Sequence, residues 1–389
     1  MLTVVFLLLT ATTLDAKEKV CRLDFVTSKT DFCDTIPIIV DEGQIYIDVE
    51  TGGKVRRFNL DTGAAQGALF GCNIQGARSL GNVASKDAAG NRDTVKVVAL
   101  PTLTFGSGLK IDGYVATVYE TGNVKRKYDG VLGFDLFNSG INAKIDTRAR
   151  VLILSDRHDV FATESGHKLK YRLKWFAPYV KVSPFMRHID EALFDTGYRH
   201  LYTMNYENFR KHSYKSKQVM EQVTDSAKGS FAIGNLGAEE SAMIYFMQLN
   251  RLSWGDYRFL DVAAMTTQGS SKIGAALLDY GSIIIEPKRK SITFQPYDTA
   301  DCIAVANTLP SLAFVPINDK PTIGIVSRQS EAYKAGARSG DTILSIDGKP
   351  MISFADLLNF PFIYGRENIF LLQSRNGQIK EVKMKRREK

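Results

Sequence analysis

The sequence predicts a mainly β protein made of two repeated halves, followed by a small α+β module. Short runs of alternating apolar and polar residues recur across residues 17–300, and no long helical period interrupts them. The tripeptide Asp-Thr-Gly occurs twice, at Asp61–Gly63 and Asp195–Gly197, with the two aspartates 134 residues apart. After these halves, short strands mix with two short helical runs at residues 330–336 and 353–358.

The N-terminal residues predict export. Residues 1–16 contain an apolar run that is too short to span a bilayer and fits a signal peptide, although no Lys or Arg precedes it. We therefore expect a periplasmic or extracellular protein whose mature chain opens with an N-terminal segment, residues 17–35. Four cysteines follow the signal peptide: Cys21, Cys33, Cys72 and Cys302. Pairing of the first two and of the last two fits an oxidising compartment, and free buried thiols are an equal alternative.

Composition argues against several function classes. The formal net charge of +8 is mild, and Lys and Arg are scattered except in the tail at residues 380–389. A solvated chain end explains this tail better than nucleic-acid binding does, and contact with an anionic surface remains an alternative. The His and Cys spacings do not resemble a zinc site, so we expect neither metal nor cofactor.

The two halves repeat the same order of features. In the first, Asp-Thr-Gly is followed by a hairpin with a polar tip at residues 85–91 and then by Val131-Leu132-Gly133. In the second, we expect a polar tip near residues 226–229, followed by the looser match Ile273-Gly274. This order predicts that the halves comprise residues 36–158 and residues 159–300.

These motifs resemble those of bacterial retropepsin-like aspartic proteases with a C-terminal PDZ domain, over residues 36–387. The resemblance implies two pseudo-symmetric β-barrel lobes in one monomeric chain. It also implies that Asp61 and Asp195 form a catalytic dyad that hydrolyses peptide or protein substrates. The residues that would support the dyad are Thr62, Gly63, Thr196, Gly197, Gly133 and Gly274.

The chemistry of such a site requires paired carboxyl groups. Two adjacent carboxylates cannot both ionise cheaply, so they share one proton. The ionised member acts as general base on a water molecule, and the protonated member donates to the substrate carbonyl oxygen. The sequence leaves open which aspartate holds the proton. The hairpin at 85–91 is expected to close over substrate as a flap, and Tyr198 departs from the family, in which a small residue is usual.

Residues 308–387 resemble a bacterial PDZ domain. Ser311-Leu312-Ala313-Phe314 is similar to the loop that binds a peptide carboxylate, and residues 330–349 follow the bacterial PDZ pattern. The resemblance implies a module that recruits or gates substrate by adding a C-terminal peptide as an extra strand. Ala313 replaces the usual glycine and Pro316 removes one backbone donor, so a purely structural role is the alternative.

The resulting hypothesis is an exported aspartic endopeptidase with a PDZ module. Two other classes remain open. One is a catalytically silent peptide-binding scaffold that retains the protease fold. The other is an interaction protein whose basic tail contacts anionic surfaces.

Overall fold

The computed structural model describes residues 25–385, except for residues 72, 88–89, 121–125, 187, 235, 307 and 364. The predicted signal peptide, Cys21, Cys72 and residues 386–389 lie outside this range. Export and disulfide pairing therefore stay predictions. Cys33 and Cys302, the two described cysteines, do not pair with each other.

Lobe one is an eleven-stranded sheet that contains every strand up to residue 132 apart from the second. The strands up to residue 132, of which β2 belongs to the second sheet, are β1 (Val26–Thr27), β2 (Cys33–Pro37), β3 (Ile39–Asp41), β4 (Gln44–Thr51), β5 (Lys54–Leu60), β6 (Gly67–Phe70), β7 (Arg78–Lys86), β8 (Arg92–Ala99), β9 (Leu103–Phe105), β10 (Lys110–Asp112), β11 (Val115–Tyr119) and β12 (Gly130–Leu132). The strands β7 and β8 form a hairpin, and we call its end, which includes Asp87 and Asn91, the flap tip. Its closure over substrate stays a prediction.

Lobe two and the base of the molecule share a fourteen-stranded sheet. Its elements, with the short helices between them, are α1 (Asp135–Asn138), β13 (Asn142–Asp146), β14 (Val151–Ser155), β15 (His167–Lys174), β16 (Ala177–Phe185), β17 (His188–Asp195), β18 (Tyr202–Asn205), α2 (Tyr206–Lys215), α3 (Lys217–Met220), β19 (Val223–Gly229), β22 (Ala242–Trp254), β23 (Tyr257–Thr267), β24 (Lys272–Gly274), β25 (Gly281–Glu286), β26 (Ser291–Pro296) and β27 (Cys302–Ala304). A separate two-stranded hairpin, β20 (Ile233–Gly234) and β21 (Gly237–Ala238), lies between β19 and β22.

The base sheet joins the two halves of the chain. Its strands follow the order β15-β26-β25-β13-β14-β2, so β13 of the first half pairs with β25 of the second. One apolar cluster extends through both lobes and this base. It includes Phe58, Leu60 and Phe194, which are fully or almost fully buried just before the two Asp-Thr-Gly turns. Burial of each such side chain contributes about 1.5–3 kcal/mol, and it fixes the strand ends that carry the aspartates.

The mainly β, two-lobed fold class is confirmed, and the expected polar tip of the second half is displaced along the chain. Residues 226–229 lie within β19 and pair with β22 instead of forming a hairpin tip. The tip lies farther along, at residues 230–241, where the β20–β21 hairpin extends it. The polar residues of β19 gave the misleading signal, because this strand faces a neighbouring part of the chain rather than a continuous core.

The C-terminal unit, residues 308–385, has a six-stranded sheet and its own apolar core. Its elements are β28 (Leu312–Ile317), β29 (Lys320–Val326), α4 (Glu331–Lys334), β30 (Thr342–Ile346), β31 (Lys349–Pro350), α5 (Phe354–Leu358), β32 (Glu367–Gln373) and β33 (Ile379–Lys385). Both helices begin inside the predicted helical runs, and a capping box of Ser353 and Asp356 starts α5. Within the described part of the chain, no helix has the length and apolarity needed to cross a membrane.

The C-terminal unit packs against β19 and β22 of lobe two. Ile325 on β29 is fully buried in a cluster with lobe-two residues rather than in the core of its own unit. The Asp225 carboxylate accepts hydrogen bonds from the Ser327 hydroxyl at 2.6 Å and from the backbone N–H of Arg328 at 2.8 Å. This contact combines apolar burial with bonds to a charged group, which are among the stronger polar contacts in proteins.

Candidate active site

The two Asp-Thr-Gly turns meet at the junction of the lobes. In lobe one, β5 runs parallel to β12 and delivers Asp61, whose N–H donates to the Leu132 carbonyl at 3.0 Å. In lobe two, β17 runs parallel to β24, and Asp195 lies opposite Gly274. Each aspartate therefore sits at a strand end supported by a parallel neighbour, so lobe two repeats the local construction of lobe one.

The two threonines tie the turns together. The N–H of Thr62 donates to the Thr196 hydroxyl, and the N–H of Thr196 donates to the Thr62 hydroxyl, both at 3.0 Å. The Thr62 hydroxyl donates to the Phe194 carbonyl at 2.7 Å, and the Thr196 hydroxyl donates to the Leu60 carbonyl at 2.6 Å. Both threonines are fully buried. These reciprocal bonds fix one carboxyl relative to the other.

The two glycines let the carboxyl groups approach each other across the junction. A methyl group on Gly63 would overlap the carboxyl of Asp195, and one on Gly197 would overlap the carboxyl of Asp61. The N–H of Gly63 donates to Oδ1 of Asp61 at 2.8 Å, and the N–H of Gly197 donates to Oδ1 of Asp195 at 3.1 Å. The structure therefore brings the two predicted catalytic aspartates together.

The predicted supporting glycines hold equivalent places behind the turns. A Cβ atom on Gly133 would lie 2.8 Å from the carbonyl oxygen of Ala64. A Cβ atom on Gly274 would overlap the carbonyl oxygens of Tyr198 and His200. Both positions exclude a side chain because the loop after each aspartate passes directly over them. The loose match at Ile273-Gly274 thus occupies the same structural position as Leu132-Gly133.

The shared environment perturbs the titration of the pair. Burial, followed by the charge of Asp195 and a hydrogen bond between the carboxyls, raises the pKa of Asp61 to about 7. Lys272 and the N–H of Ala64 act in the opposite direction. A carboxyl group with a pKa of about 7 keeps its proton through the mildly acidic range, as a carboxylic acid that donates to substrate must.

A lysine touches the dyad, which the sequence analysis missed. Nζ of Lys272 lies 2.9 Å from Oδ2 of Asp195, and the Lys272 side chain is only 16% exposed. Burial lowers the pKa of Lys272, but the attraction of Asp195 and Asp61 outweighs that effect, and the net pKa is raised. A signal was present in the sequence: a charged residue directly precedes Ile273-Gly274, where lobe one has the apolar Val131.

Two other residues near the second turn have packing roles. The Tyr198 ring lies beside the ammonium of Lys272, with 5.3 Å from Nζ to the ring centroid. His200 packs between Tyr198 and Phe231, at centroid distances of 5.4 and 6.0 Å. Burial, assisted by Arg199, lowers the pKa of His200 to about 4, so His200 is neutral at pH 6 and above. The bulky ring of Tyr198 therefore does not separate the two carboxyls.

The flap tip contacts lobe two. The Asp87 carboxylate at the tip accepts a hydrogen bond from the N–H of Leu236 at 2.8 Å, and the Asn91 amide donates to the Ala238 carbonyl at 3.3 Å. Leu236 also packs against an apolar cluster of lobe one, whose members are Ala68, Phe70, Val95, Tyr119 and Val131. The β20–β21 hairpin thus contacts the lobe that carries the flap.

The predicted carboxylate-binding loop, Ser311 to Phe314, leads into edge strand β28. Leu312 and Phe314 pack into the core of the C-terminal unit. Ala313 packs instead against the cluster shared with lobe two. The carbonyl of Ser311 accepts a hydrogen bond from the N–H of Ser327 at 2.8 Å. In this arrangement β28 also contacts β21, so the edge on which a peptide would pair lies beside the lobe-two hairpin.

Comparisons with known proteins give short or distant similarities. No protein-family model matches the chain. A protein of Bartonella henselae and one of Rhizobium meliloti, each provisionally named a zinc metalloprotease, are 33% identical over 60 residues and 27% identical over 140 residues. These alignments cover 15% and 36% of this chain, and the chain spans only 17% and 35% of the two proteins. In the described residues, no group of three or more His, Cys, Asp or Glu side chains is arranged to hold a metal ion.

Two solved structures are similar over much of the protein. Basic 7S globulin from soybean matches with a TM-score of 0.44 and 9% identity, over 68% of this chain and 94% of the globulin. An aspartic proteinase from Irpex lacteus matches with a TM-score of 0.47 and 14% identity, over 69% of this chain and 99% of the proteinase.

Proposed function

We propose that the chain is an aspartic endopeptidase whose dyad is Asp61 and Asp195. The observation that carries the proposal is the reciprocal packing of each carboxyl against the glycine of the opposite turn. Two buried carboxyls in this arrangement share a proton, and the raised pKa of Asp61 supports that state. Export, a monomeric state and the absence of a cofactor belong to the same proposal.

In the proposed reaction, the dyad holds one proton before peptide cleavage and one proton after it. Water loses a proton to the ionised carboxyl while its oxygen attacks the peptide carbon, and the protonated carboxyl donates to the carbonyl oxygen. The resulting gem-diol then collapses: one hydroxyl proton returns to the dyad, and the other carboxyl protonates the leaving amine. An acid and an amine form, and the dyad regains its single proton.

The test is cleavage of a peptide library by the purified chain between pH 3 and pH 8. We expect Asp61→Asn and Asp195→Asn each to reduce kcat/KM by at least about 1,000-fold, because either change removes the shared proton. The matched control is Asp93→Asn, on an exposed part of the flap strand β8. Activity that persists in either dyad variant, or that a metal chelator abolishes, contradicts the proposal.

The contact between Lys272 and Asp195 is an observation that favours the alternative function, a peptide-binding scaffold without catalytic activity. An ion pair at the dyad could serve a cleft that binds peptides without cutting them. Binding of library peptides by the wild-type chain, with no cleavage at any pH tested, would favour that alternative.

We also propose that the C-terminal unit is a PDZ-like module that gates the cleft. A gate needs a physical connection, and the β20–β21 hairpin supplies one. Its Leu236 and Ala238 bond to the flap tip, while β21 contacts β28 on its other side. A peptide that adds to the edge of β28 would compete with the hairpin for the same space. Release of the hairpin would then free the flap to open.

A further inference from the structure

Lys272 occupies a position that lobe one fills with an apolar side chain. In the register of the two parallel strand pairs, Gly274 lies opposite Asp195, and Ile273 lies opposite Phe194. In lobe one, Leu132 lies opposite Leu60, so Val131 precedes it as Lys272 precedes Ile273. Val131 is 5% exposed and belongs to an apolar cluster. The two lobes therefore differ in charge at one matched position beside the dyad.

The contacts of Lys272 favour an ionised Asp195. Its ammonium lies 2.9 Å from Oδ2, and the other oxygen, Oδ1, accepts the N–H of Gly197 at 3.1 Å. Both oxygens of Asp195 thus accept from donors, and one of these donors is charged. Such charge-assisted hydrogen bonds stabilise the carboxylate form.

Asp61 has no comparable cation. Its Oδ1 accepts the N–H groups of Gly63 and Ala64 at 2.8 and 3.1 Å, and the described contacts give its Oδ2 no ion pair. The groups facing Lys272 from the surrounding elements are Asp195 at the end of β17, Asp61 after β5, Tyr179 on β16 and Tyr198 in the turn. Among these groups, the carboxyl of Asp195 is the one in direct contact with the ammonium of Lys272.

We infer that Lys272 is a positioning residue that breaks the symmetry of the dyad, holding the negative charge on Asp195 and leaving the shared proton on Asp61. This inference rests on the proposed function. It assigns Asp195 as the base that takes a proton from water and Asp61 as the acid that donates to the substrate carbonyl.

The assignment predicts the direction in which removal of Lys272 shifts the pH profile of kcat/KM. Cleavage should fall as Asp61 loses its proton, with the alkaline limb of kcat/KM near pH 7. Lys272 lowers the pKa of Asp61. Its removal should therefore move this limb to higher pH, by on the order of one unit for a nearby opposite charge. A residue that only supports the fold would change the height of the profile and leave its limbs in place.

The first experiment measures pH profiles of kcat/KM for the wild type, Lys272→Met and Lys272→Arg, with Lys181→Met as a control at an exposed site on β16. We expect Lys272→Met to shift the alkaline limb upward and Lys272→Arg and Lys181→Met to keep it near the wild-type value. Coincident limbs in the wild type and Lys272→Met, or a uniform gain in rate without a shift, overturn the inference.

The second experiment does not require activity. The carboxyl carbons of ¹³C-labelled wild-type protein are titrated by NMR, with assignments from Asp61→Asn and Asp195→Asn. We expect Asp61 to hold a proton at pH 6 and Asp195 to be ionised there. The opposite order overturns the inference even if peptides are cut. The expected order in a chain that cuts no peptide contradicts only the proposed function.

Discussion

The two lobes build the same turn and surround it differently. Each contributes an aspartate, a threonine and a glycine at the end of one strand of a parallel pair, and the threonine bonds match to within 0.1 Å. Beside the carboxyl, lobe one has Ala64 and Val131, whereas lobe two has Tyr198 and Lys272. The two lobes are thus alike in the turn residues that join them, and they differ in the residues that determine the charge beside the carboxyls. Such a division allows one chain to give two identical side chains different roles.

Among the changes that compare the surroundings of the two aspartates, the largest effect should come from Gly63 and Gly197, each of which packs against the opposite carboxyl. In Gly63→Ala and Gly197→Ala, the new methyl group would overlap the opposite carboxyl, so the dyad has to separate. Displacement of reacting groups by about 1 Å lowers rates by about 100-fold, and we expect at least that loss in kcat/KM for each variant. Gly106→Ala is the control, because its φ is not positive and a Cβ there would meet only Pro37, at an ordinary contact distance of 3.8 Å. A rate within threefold of the wild type in either dyad variant would contradict the reported packing.

The second prediction tests whether the hydrogen bonds of Thr62 and Thr196 contribute equally to the free energy of unfolding. Thr62→Val and Thr196→Val keep the side-chain shape and remove two buried hydrogen bonds each, leaving an N–H and a carbonyl unpaired. We expect each to lower the free energy of unfolding by about 2–4 kcal/mol, measured by denaturant titration. Thr62→Ser and Thr196→Ser, which retain the hydroxyl, should lose less than about 1 kcal/mol. Unequal losses in the two valine variants would show that the junction is less symmetric than its geometry.

The smallest effect should come from the contact between lobe two and the C-terminal unit, which has no counterpart on lobe one. Ile325→Asp places a charge in the buried contact with lobe two but leaves the core of the C-terminal unit intact. If that unit holds the β20–β21 hairpin against the flap, detachment should raise kcat/KM on the order of threefold and increase the hydrodynamic radius. Ile352→Asp, at a side chain that is 80% exposed, is the matched control. A larger radius without any gain in rate would argue against gating.

The sequence predicted the repeated parts of the site because those parts are local. Asp61, Thr62 and Gly63 are consecutive, as are their counterparts, and each set follows an apolar strand that must be buried. Gly274 was predicted only loosely, since its equivalence to Gly133 depends on which residues of β17 and β24 pair. That register is set by tertiary packing rather than by the tripeptide itself.

The parts that were missed depend on contacts between distant segments. Lys272 is 77 residues beyond Asp195 in the chain, and its place before Ile273-Gly274 does not by itself show that its ammonium reaches the dyad. The polar residues of β19 suggested a turn, because the surface that covers this strand belongs to the C-terminal unit, about 100 residues later. Alternating patterns report burial against a continuous core, and they fail where another domain supplies the cover.

The shared base sheet has a consequence for synthesis. The strand β13 cannot pair with β25 until β25 has been synthesised. The turn that carries Asp195 likewise lacks its neighbouring strand until β24 has been synthesised. A ribosome-bound chain that ends before residue 272 can therefore hold both acidic side chains without the framework that aligns them. Long-range pairings of this kind form late in folding. Alignment of the two turns therefore requires β24 and β25 in addition to the aspartates themselves.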